Sequence, residues 1–424
     1  MGINQQTFLV KLFIFLISII SLSIGICVLY FEGLNAFKII SYLLLINSVS
    51  LIYLYRKNIP IMLVWGFITY SNYSIVMGEV FSPNSRSLFS SLKEDASNII
   101  GLMCLLLFTI VIIILTLFLY DNRELDFITY TRNENNIIAS CIIVILFLIF
   151  IFGFQRPDAL GERGTPSALY EYSSIFFIIG IYYTRKKSIF EKIYIIIAIL
   201  FCIQNFKFGG RIIGLQIIFI LFLMLYQKKL NIAKFFLISI TGIIFMTGLG
   251  IMRDKYIQND SIVNLLLERK FSLDTAIAAY FTSQTFILYK AMTTTQEQLT
   301  LLYNFIISLF TGGDRGVSSN LSLITREIFI HQFGGVFPIW FYYWLGYLGV
   351  ILAGVVTYLF TVVIQIKNSN FAKLLAIFIF STTPRWYLYS PTNLFRSSML
   401  FLIVYIFVKF IHYLTQKNIR KSRS

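Results

Sequence analysis

The chain is dominated by stretches of about 20 predominantly apolar residues, the length that an α-helix needs to cross a bilayer. Hydrophobic residues make up 58% of its 424 residues and charged residues only 13%. Because a soluble domain of this size carries about 25% charged residues, lipid is the solvent that this composition fits. The sequence predicts an all-α polytopic membrane helix bundle of about twelve spans, drawn at Phe8–Tyr30, Phe37–Tyr55, Ile61–Met77, Ile99–Tyr120, Ile137–Phe154, Leu169–Tyr183, Ile189–Gln204, Ile212–Tyr226, Phe235–Met252, Ile339–Ile366, Phe371–Thr383 and Ser397–Leu414.

Cysteine and histidine usage argues against a metal centre. The first apolar stretch is too long for a signal-peptide core and lacks a small-residue cleavage site, so we interpret it as an uncleaved span. The four cysteines all lie within apolar stretches, which is not typical of a disulfide framework or a metal cluster. With only two histidines in the chain, we expect no metal and no cofactor.

The basic residues orient the bundle. A net charge of +16 would suggest a nucleic-acid partner for a soluble protein. In a membrane protein the positive-inside rule accounts for much of it, so we expect no nucleic acid. If the N-terminus is cytoplasmic and the number of spans is even, both termini are cytoplasmic. Every inside segment is then basic. The basic residues of these segments are Arg56–Lys57, Arg123 with Arg132, Arg185–Lys187, Lys228 with Lys229 and Lys234, Lys367 with Lys373, and Lys417 to Arg423.

One outside segment, residues 253–338, is much longer than the others. Its positive and negative charges balance, and Ala276–Tyr289 and Leu299–Phe310 are apolar runs at helical spacing. A loop of this length with its own helices is usually functional. The predicted organisation is an N-terminal bundle of about nine spans (1–252), this partly helical extracytoplasmic loop (253–338), a C-terminal bundle of about three spans (339–414) and a basic cytoplasmic tail (415–424).

Several arginines lie on the predicted outer side, against the charge rule. Arg163, Arg211, Arg385 and Arg396 stand within a few residues of a membrane boundary. The guanidinium fork suits phosphate oxygens bidentately, so the set predicts binding of a lipid-linked phosphate or pyrophosphate. In Lys207–Arg211 the two glycines let the backbone approach a ligand closely, or they could form a plain helix break. Arg211 opens a span where helix amides favour anions. For any single arginine, anchoring at lipid headgroups is the alternative.

Aromatic and titratable residues extend this candidate site. Trp386, Tyr387 and Tyr389 surround Arg385, where they could stack on sugar rings or form an interfacial aromatic belt. For the general base, Glu327 and His331 lie four residues apart, so a helix would place them on one face.

Glu171, at the start of a span, is another candidate base. Each of the three also has a structural interpretation. Glu327 could pair with Arg326, and His331 could cap the turn before Gly334-Gly335.

Short motifs follow one another in a recognisable order: Arg163-Gly164-Thr165-Pro166-Ser167 running into Tyr170-Glu171-Tyr172-Ser173, Phe208-Gly209-Gly210-Arg211-Ile212 with Leu215-Gln216, Gly346-Tyr347-Leu348-Gly349, and Pro384-Arg385-Trp386-Tyr387. With these motifs and its topology, nearly the whole chain resembles the O-antigen polymerase family of bacterial inner membranes. The resemblance implies a fold like the C-type glycosyltransferases, with an active site at the periplasmic face.

The resemblance also implies the reaction and its partners. The donor would be a growing glycan on undecaprenyl pyrophosphate, and the acceptor a single repeat unit on the same carrier in the membrane lipid. The family commonly works with a chain-length regulator protein. Preorganised cations such as Arg163, Arg211 and Arg385 could stabilise the leaving pyrophosphate without a metal, and no Asp-x-Asp pair stands in an outside loop to favour a metal-dependent site.

Two other functions stay open. An O-antigen ligase, of related fold, typically shows a histidine late in the long loop followed at fixed spacing by glycine, but Tyr342 stands at that spacing from His331. A lipid-linked oligosaccharide flippase or other transporter more often has repeated halves and ionisable residues at the bilayer midplane. The sequence shows neither feature.

Overall fold

The computed structural model describes residues 3–30, 35–78, 95–120, 127–156, 164–208, 210–229, 232–255, 271–311, 314–331 and 334–421. Helices make up 84% of the structure, which confirms the all-α prediction. In the first half of the chain the elements are α1 (Ile3–Tyr30), α2 (Ala36–Leu54), α3 (Ile59–Val76), α4 (Asp95–Leu119), α5 (Asn136–Phe152), β1 (Phe154–Gln155), β2 (Thr165–Pro166), α6 (Ala168–Glu171), α7 (Ser173–Tyr183) and α8 (Ile189–Lys207).

The second half continues with further helices, some prolonged by a π-helical turn. They are α9 (Ile212–Leu221, prolonged by Phe222–Tyr226), α10 (Ile232–Lys255), α11 (Asp274–Met292), α12 (Thr295–Thr311), α13 (Asp314–Ser318), α14 (Leu321–Arg326), α15 (Phe337–Tyr358, prolonged by Leu359–Val363), α16 (Ile364–Ile366), α17 (Asn370–Ser381), α18 (Thr383–Leu388) and α19 (Thr392–Lys421).

The helices have the length and composition of a multi-pass membrane bundle. Among the described residues seven are long and apolar enough to cross a bilayer: Phe8–Tyr30, Ala36–Leu54, Ile59–Val76, Ala96–Leu119, Ile189–Lys207, Phe337–Ile366 and Thr392–Lys417. Five shorter apolar helices of 10–17 residues coincide with the other predicted stretches. Because these five are shorter than the roughly 20 residues of a full crossing, the count of twelve spans stays a prediction.

Contacts between residues divide the chain into two compact units. The first comprises Met1–Asp126, Val263–Val363 and Arg385–Thr392, and the second comprises Phe127–Ile262, Ile364–Pro384 and Asn393–Ser424. This grouping follows spatial contact, whereas the four predicted segments follow chain order across a membrane, and that topological division stays a prediction.

In the first unit α4 is the central helix, packed against α1, α2, α11 and α15. A glycine permits the close approach of α11, because a Cβ at Gly101 would lie 2.7 Å from the hydroxyl of Tyr280. That hydroxyl donates to the backbone carbonyl of Asn98 at 2.8 Å. Small residues at helix contacts are the usual means of close packing in lipid, where apolar burial gives little preference for one neighbour over another.

In the second unit α7, α8, α9 and α17 form the packed centre, with α5 against α7 and α8. Gly180 on α7 allows the ring of Tyr194 on α8 to approach within 2.4 Å of where a Cβ would lie. Three residues before Tyr194, near the start of α8, Glu191 forms an ion pair with Arg132 at an N···O distance of 2.6 Å. The pair fastens the segment before α5 to the start of α8.

Two predicted spans end differently in the structure. The stretch Leu169–Tyr183 is interrupted at Tyr172, whose φ of −90° and ψ of 6° separate α6 from α7. The stretch Ile137–Phe154 ends at Phe152, because Gly153 caps α5 and Phe154 pairs with Pro166 in a two-stranded antiparallel sheet. Both interruptions lie on the predicted outer side.

The long loop contains the two helices that its apolar runs predict, α11 and α12. The loop does not stand apart from the bundle, because α11 packs against α3, α4 and α15. In the last turn of α11, the ammonium group of Lys290 donates to the backbone carbonyl of Tyr343 at 2.9 Å. That carbonyl lies just before a break in α15 at Gly346, where φ is 64° and ψ is −149°.

Candidate functional site

The candidate site in the second unit lies where a backbone hydrogen bond joins two of the predicted outside loops. The backbone N–H of Gly164, just before β2, donates to the carbonyl of Phe208 at 3.1 Å. The hairpin also closes on itself, since Ser167 N–H donates to the Gly153 carbonyl at 2.8 Å. The segment before α6 and the segment before α9 therefore belong to one loop framework.

Tyr170 is the buried centre of this framework. Its hydroxyl donates to the Gln204 side-chain oxygen at 2.9 Å and accepts from the Asn205 amide at 2.8 Å. Its ring stacks on Phe201 with a centroid distance of 4.7 Å. A buried hydroxyl with both partners satisfied is rigid, so α6 and the end of α8 are held in one arrangement.

Arg211 is positioned by the same framework. The N–H of Gly210 donates to the Asn205 carbonyl at 2.8 Å, and a Cβ at Gly210 would lie 2.9 Å from the Asn205 side-chain oxygen. Arg211 is the N-cap of α9 and is half-buried. Its guanidinium lies 3.5 Å from the carbonyl of Met246 on α10. The segment before α9 therefore places a cation at the start of a helix, where unpaired amides add positive charge.

The remaining residues predicted for this part of the site are less fully placed. Glu171 ends α6 directly after Tyr170 and is half-buried, and Arg396 lies half-buried in the first turns of α19. Arg163 lies outside the described residues. Glu171 and Arg211 thus belong to one hydrogen-bonded framework.

In the first unit a second cluster forms around His331. The imidazole is 7% exposed, and its Nε2 lies 2.9 Å from the Thr325 hydroxyl oxygen. Gly334 and Gly335, with φ of 118° and 149°, then turn the chain. Gly334 N–H donates to the hydroxyl of Ser322, which lies in the same helix as Thr325, at 3.1 Å.

The Gly-Gly turn joins the His331 segment to the segment that holds Arg385. Gly335 N–H donates to the carbonyl of Leu388 at 3.1 Å, and a Cβ at Gly334 would lie 2.8 Å from that same oxygen. Only glycine fits this close backbone approach at positive φ. The structure therefore brings together two of the predicted segments, the end of the long loop and the residues after Pro384.

The expectation that Glu327 and His331 share a helix face is wrong. Helix α14 ends at Arg326, and Glu327 is its exposed C-cap, whereas His331 is buried in extended backbone. The N–H groups of Ile328 and Phe329 both donate to the carbonyl of Thr325, at 3.2 and 2.8 Å, so the helix closes in a turn before His331. The two side chains are in different environments and do not form a paired acid and base.

The aromatic residues after Arg385 differ sharply in exposure. Trp386 and Tyr387 are fully buried, the first against Phe337 and the second donating its hydroxyl to Asn72 at 3.0 Å. Both rings are packed on other aromatic rings and the Tyr387 hydroxyl already has a partner, so the structure does not favour either residue as a sugar contact. Tyr389 is half-buried and keeps part of its surface, as does Arg385.

Sequence reasoning did not single out the residues that order these loops. Gln204 and Asn205 fall at the end of an apolar stretch, and Ser322 and Thr325 fall in a polar part of the long loop. The only sequence feature that marks these residues is a polar side chain near a helix end. Such side chains are common, so the role of these residues follows only from their hydrogen-bond partners. No known family model, no characterised protein and no solved structure matches this chain.

Proposed function

We propose that this chain is a glycosyltransferase of the O-antigen polymerase kind, which extends a glycan carried on undecaprenyl pyrophosphate at the periplasmic face of a bacterial inner membrane. The donor is the growing glycan on its lipid carrier, and the acceptor is one lipid-linked repeat unit. The observation that carries the proposal is Arg211, a half-buried arginine at the start of α9 on a loop ordered by Tyr170, Asn205 and Gly164.

In the proposed reaction a hydroxyl oxygen of the acceptor's non-reducing sugar attacks the donor's anomeric carbon. The bond between that carbon and the pyrophosphate oxygen breaks, and the lipid pyrophosphate leaves with the bonding electron pair. A base takes the proton of the attacking hydroxyl. The leaving group gains negative charge in the transition state, so a fixed cation placed beside it accelerates the reaction.

Arg211 suits that task because its position is set before the ligand arrives. The carbonyl of Asn205 accepts from Gly210, and the side chain of Asn205 holds Tyr170, so the turn before α9 is fixed on both sides. A preorganised cation stabilises developing charge without rearranging at the moment of reaction. The amides at the start of α9 add to the same field.

Of the three candidate bases, Glu171 is favoured for this site. It directly follows Tyr170, and so belongs to the same hydrogen-bonded framework as Arg211. Glu327 is exposed, and the imidazole of His331 is engaged with Thr325 in the first unit. A carboxylate held on rigid loops is suited to accept the proton of an incoming hydroxyl.

The decisive experiment is complementation of a strain that lacks this chain. We expect the deletion strain to make lipopolysaccharide capped with a single repeat unit, and the intact gene to restore a ladder of longer chains on a gel. Arg211→Ala should lower polymer formation by about 100-fold or more, the usual effect of losing one oxyanion-stabilising group. The matched control is Arg156→Ala, an exposed arginine of the neighbouring loop, which should preserve the ladder.

Other outcomes would identify another function. Polymer that builds up on the lipid carrier without transfer to lipid A-core, in the deletion strain, would identify a ligase. Repeat units trapped on the cytoplasmic side would identify a flippase. A normal ladder from Arg211→Ala, at wild-type protein levels in the membrane, would remove Arg211 from the site.

A further inference from the structure

Two side chains in the second unit carry buried polar atoms that lack a hydrogen-bond partner among the described residues. Many buried hydroxyl groups in the helices bond instead to the carbonyl four residues earlier, as Thr109, Thr357 and Ser398 do. Gln216 on α9 is 1% exposed and Ser173 on α7 is 0% exposed. Among the described residues, neither amide atom of Gln216 nor the hydroxyl of Ser173 has a hydrogen-bond partner.

The starts of α7 and α9 lie at the same end of the second unit. The bonds from Gly164 to Phe208 and from Asn205 to Tyr170 join the segments that immediately precede these two helices. Ser173 is the first residue of α7. Gln216 is the fifth residue of α9, about 6 Å along the axis from its first residue at 1.5 Å per residue.

A third helix, α17, ends at this position. Its first residue, Asn370, donates to the hydroxyl of Tyr182 near the end of α7 at 3.4 Å, so the two packed helices are antiparallel. The end of α17 therefore lies beside the start of α7. It is polar and buried, with Ser381, the C-cap Thr382 and then Thr383, the first residue of α18. Since α9 packs against both other helices, the three helix ends lie together in the second unit.

The chemistry of this region favours a neutral ligand. Helices α7 and α9 contain no charged residue, and the one charge of α17, Lys373, lies near its opposite end. A carboxamide both donates and accepts, and so does a hydroxyl. Groups of this kind are seldom left buried without partners, and a ligand with several hydroxyl groups satisfies them in both directions.

We propose that Gln216, Ser173 and the end of α17 form a binding site for sugar hydroxyl groups. The inference rests on the proposed function and names the part of the donor that this site recognises. That part is the sugar attached directly to the lipid pyrophosphate. Arg211 begins the same helix five residues before Gln216, about 7.5 Å away along the axis. One helix thus presents a cation for the pyrophosphate and an amide for the adjoining sugar.

The test compares two lipids on the purified full-length protein in nanodiscs. One is the lipid-linked oligosaccharide extracted from cells that lack this chain, and the other is bare undecaprenyl pyrophosphate. We expect the wild-type protein to bind the sugar-bearing lipid about 10-fold more tightly. Gln216→Met should bind both lipids equally and keep the wild-type affinity for the bare carrier.

A matched variant separates ligand binding from folding. Gln227 is also buried, but its amide makes two bonds to the backbone of Ile128, at 3.0 and 2.7 Å. Gln227→Met should therefore lower the melting temperature by several degrees and preserve the preference for the sugar-bearing lipid. Gln216→Met loses no bond to the described residues, so its melting temperature should stay at or above that of the wild type.

The outcomes distinguish the two proposals. If Gln216→Met keeps the wild-type preference, or if the wild-type protein binds both lipids equally, the buried amide holds only water and the sugar site is refuted. If neither lipid binds better than an ordinary phospholipid, the proposed function itself fails. Arg211→Ala should weaken binding of both lipids by the same factor, which marks the pyrophosphate part of the site.

Discussion

At the scale of single residues, backbone geometry decides where the helix α15 breaks. Gly346 has φ of 64° and ψ of −149°, a conformation that is essentially restricted to glycine. An ideal Cβ there would meet no atom within 4 Å. The requirement for glycine is therefore one of backbone dihedral angles and not of space. The carbonyl of Tyr343 ahead of the break is satisfied by Lys290.

This geometry gives a direct prediction for alanine at position 346. Gly346→Ala should lower the free energy of unfolding by about 1–3 kcal/mol, the cost of holding a non-glycine residue in such a conformation. Gly66 is the control, because it lies within α3 and an added Cβ there also meets nothing. Gly66→Ala should raise the free energy of unfolding by about 0.5–1 kcal/mol. Unfolding by SDS from mixed micelles measures both, and equal effects of the two substitutions would contradict the explanation.

Burial separates residues that look equivalent in the sequence. Trp386, Tyr387 and Tyr389 stand together beside Arg385, and all three are reasonable sugar contacts by residue type. The structure buries the first two and leaves only Tyr389 partly open. No local pattern could foretell this, because the partners of the buried pair, Phe337 and Asn72, are distant in the chain.

At the scale of elements, α12 begins with a reciprocal pair of caps. The Glu297 carboxylate accepts from the Thr294 N–H at 2.7 Å and from its hydroxyl at 2.9 Å, and Glu297 N–H donates back to that hydroxyl. These bonds hold the pKa of Glu297 below its ordinary value of 4.5. The spacing Thr-x-x-Glu is the capping-box signature of a helix start.

The lowered pKa predicts how the start of α12 responds to acid. A carboxyl whose pKa is depressed by folding contributes stability above its unfolded pKa and loses it as the pH falls through the folded value. Protection of the first-turn amides of α12 from hydrogen exchange should therefore be full near neutral pH and fall below about pH 4.5.

Two variants test whether the capping box is the cause. Glu297→Gln should reduce the protection already at neutral pH and abolish its acid dependence. Thr294→Ala removes the hydroxyl but keeps the backbone N–H that donates to Glu297, so it should reduce the protection and leave a weaker acid dependence. An unchanged acid dependence in Glu297→Gln would show that another group controls the start of this helix.

At the scale of the whole molecule, the positive-inside rule predicts which side each loop faces. The loop between α7 and α8 is basic, with exposed Lys186, and is predicted cytoplasmic. The hairpin before α6, with exposed Thr165, is predicted periplasmic. The proposed chemistry requires this orientation, because Arg211 shares the loop framework of the hairpin.

Cysteine labelling in whole cells measures the orientation. In a background with the four native cysteines replaced, Thr165→Cys should react with a membrane-impermeant thiol reagent added outside the cytoplasmic membrane. Lys186→Cys should react only after that membrane is permeabilised. Both positions are exposed, so burial does not limit either reaction. Labelling of Lys186→Cys from outside would invert the molecule and move the proposed site to the cytosol.

The sequence by itself determined that this chain is an all-α membrane bundle, and it located the helices to within a few residues at most ends. The reason is physical: a backbone in lipid must satisfy its own hydrogen bonds, so long apolar stretches become helices. Apolar periodicity also located the two helices of the long loop, because that pattern acts locally.

Tertiary structure alone decided which of the candidate residues belong together. It joined Gly164 to Phe208 and Gly335 to Leu388, buried Trp386 with Tyr387, and separated Glu327 from His331. It also left the amide of Gln216 without a partner among the described residues. Each of these outcomes depends on contacts between segments far apart in the chain, and in lipid such contacts are set by close packing and hydrogen bonding, which apolar composition does not encode.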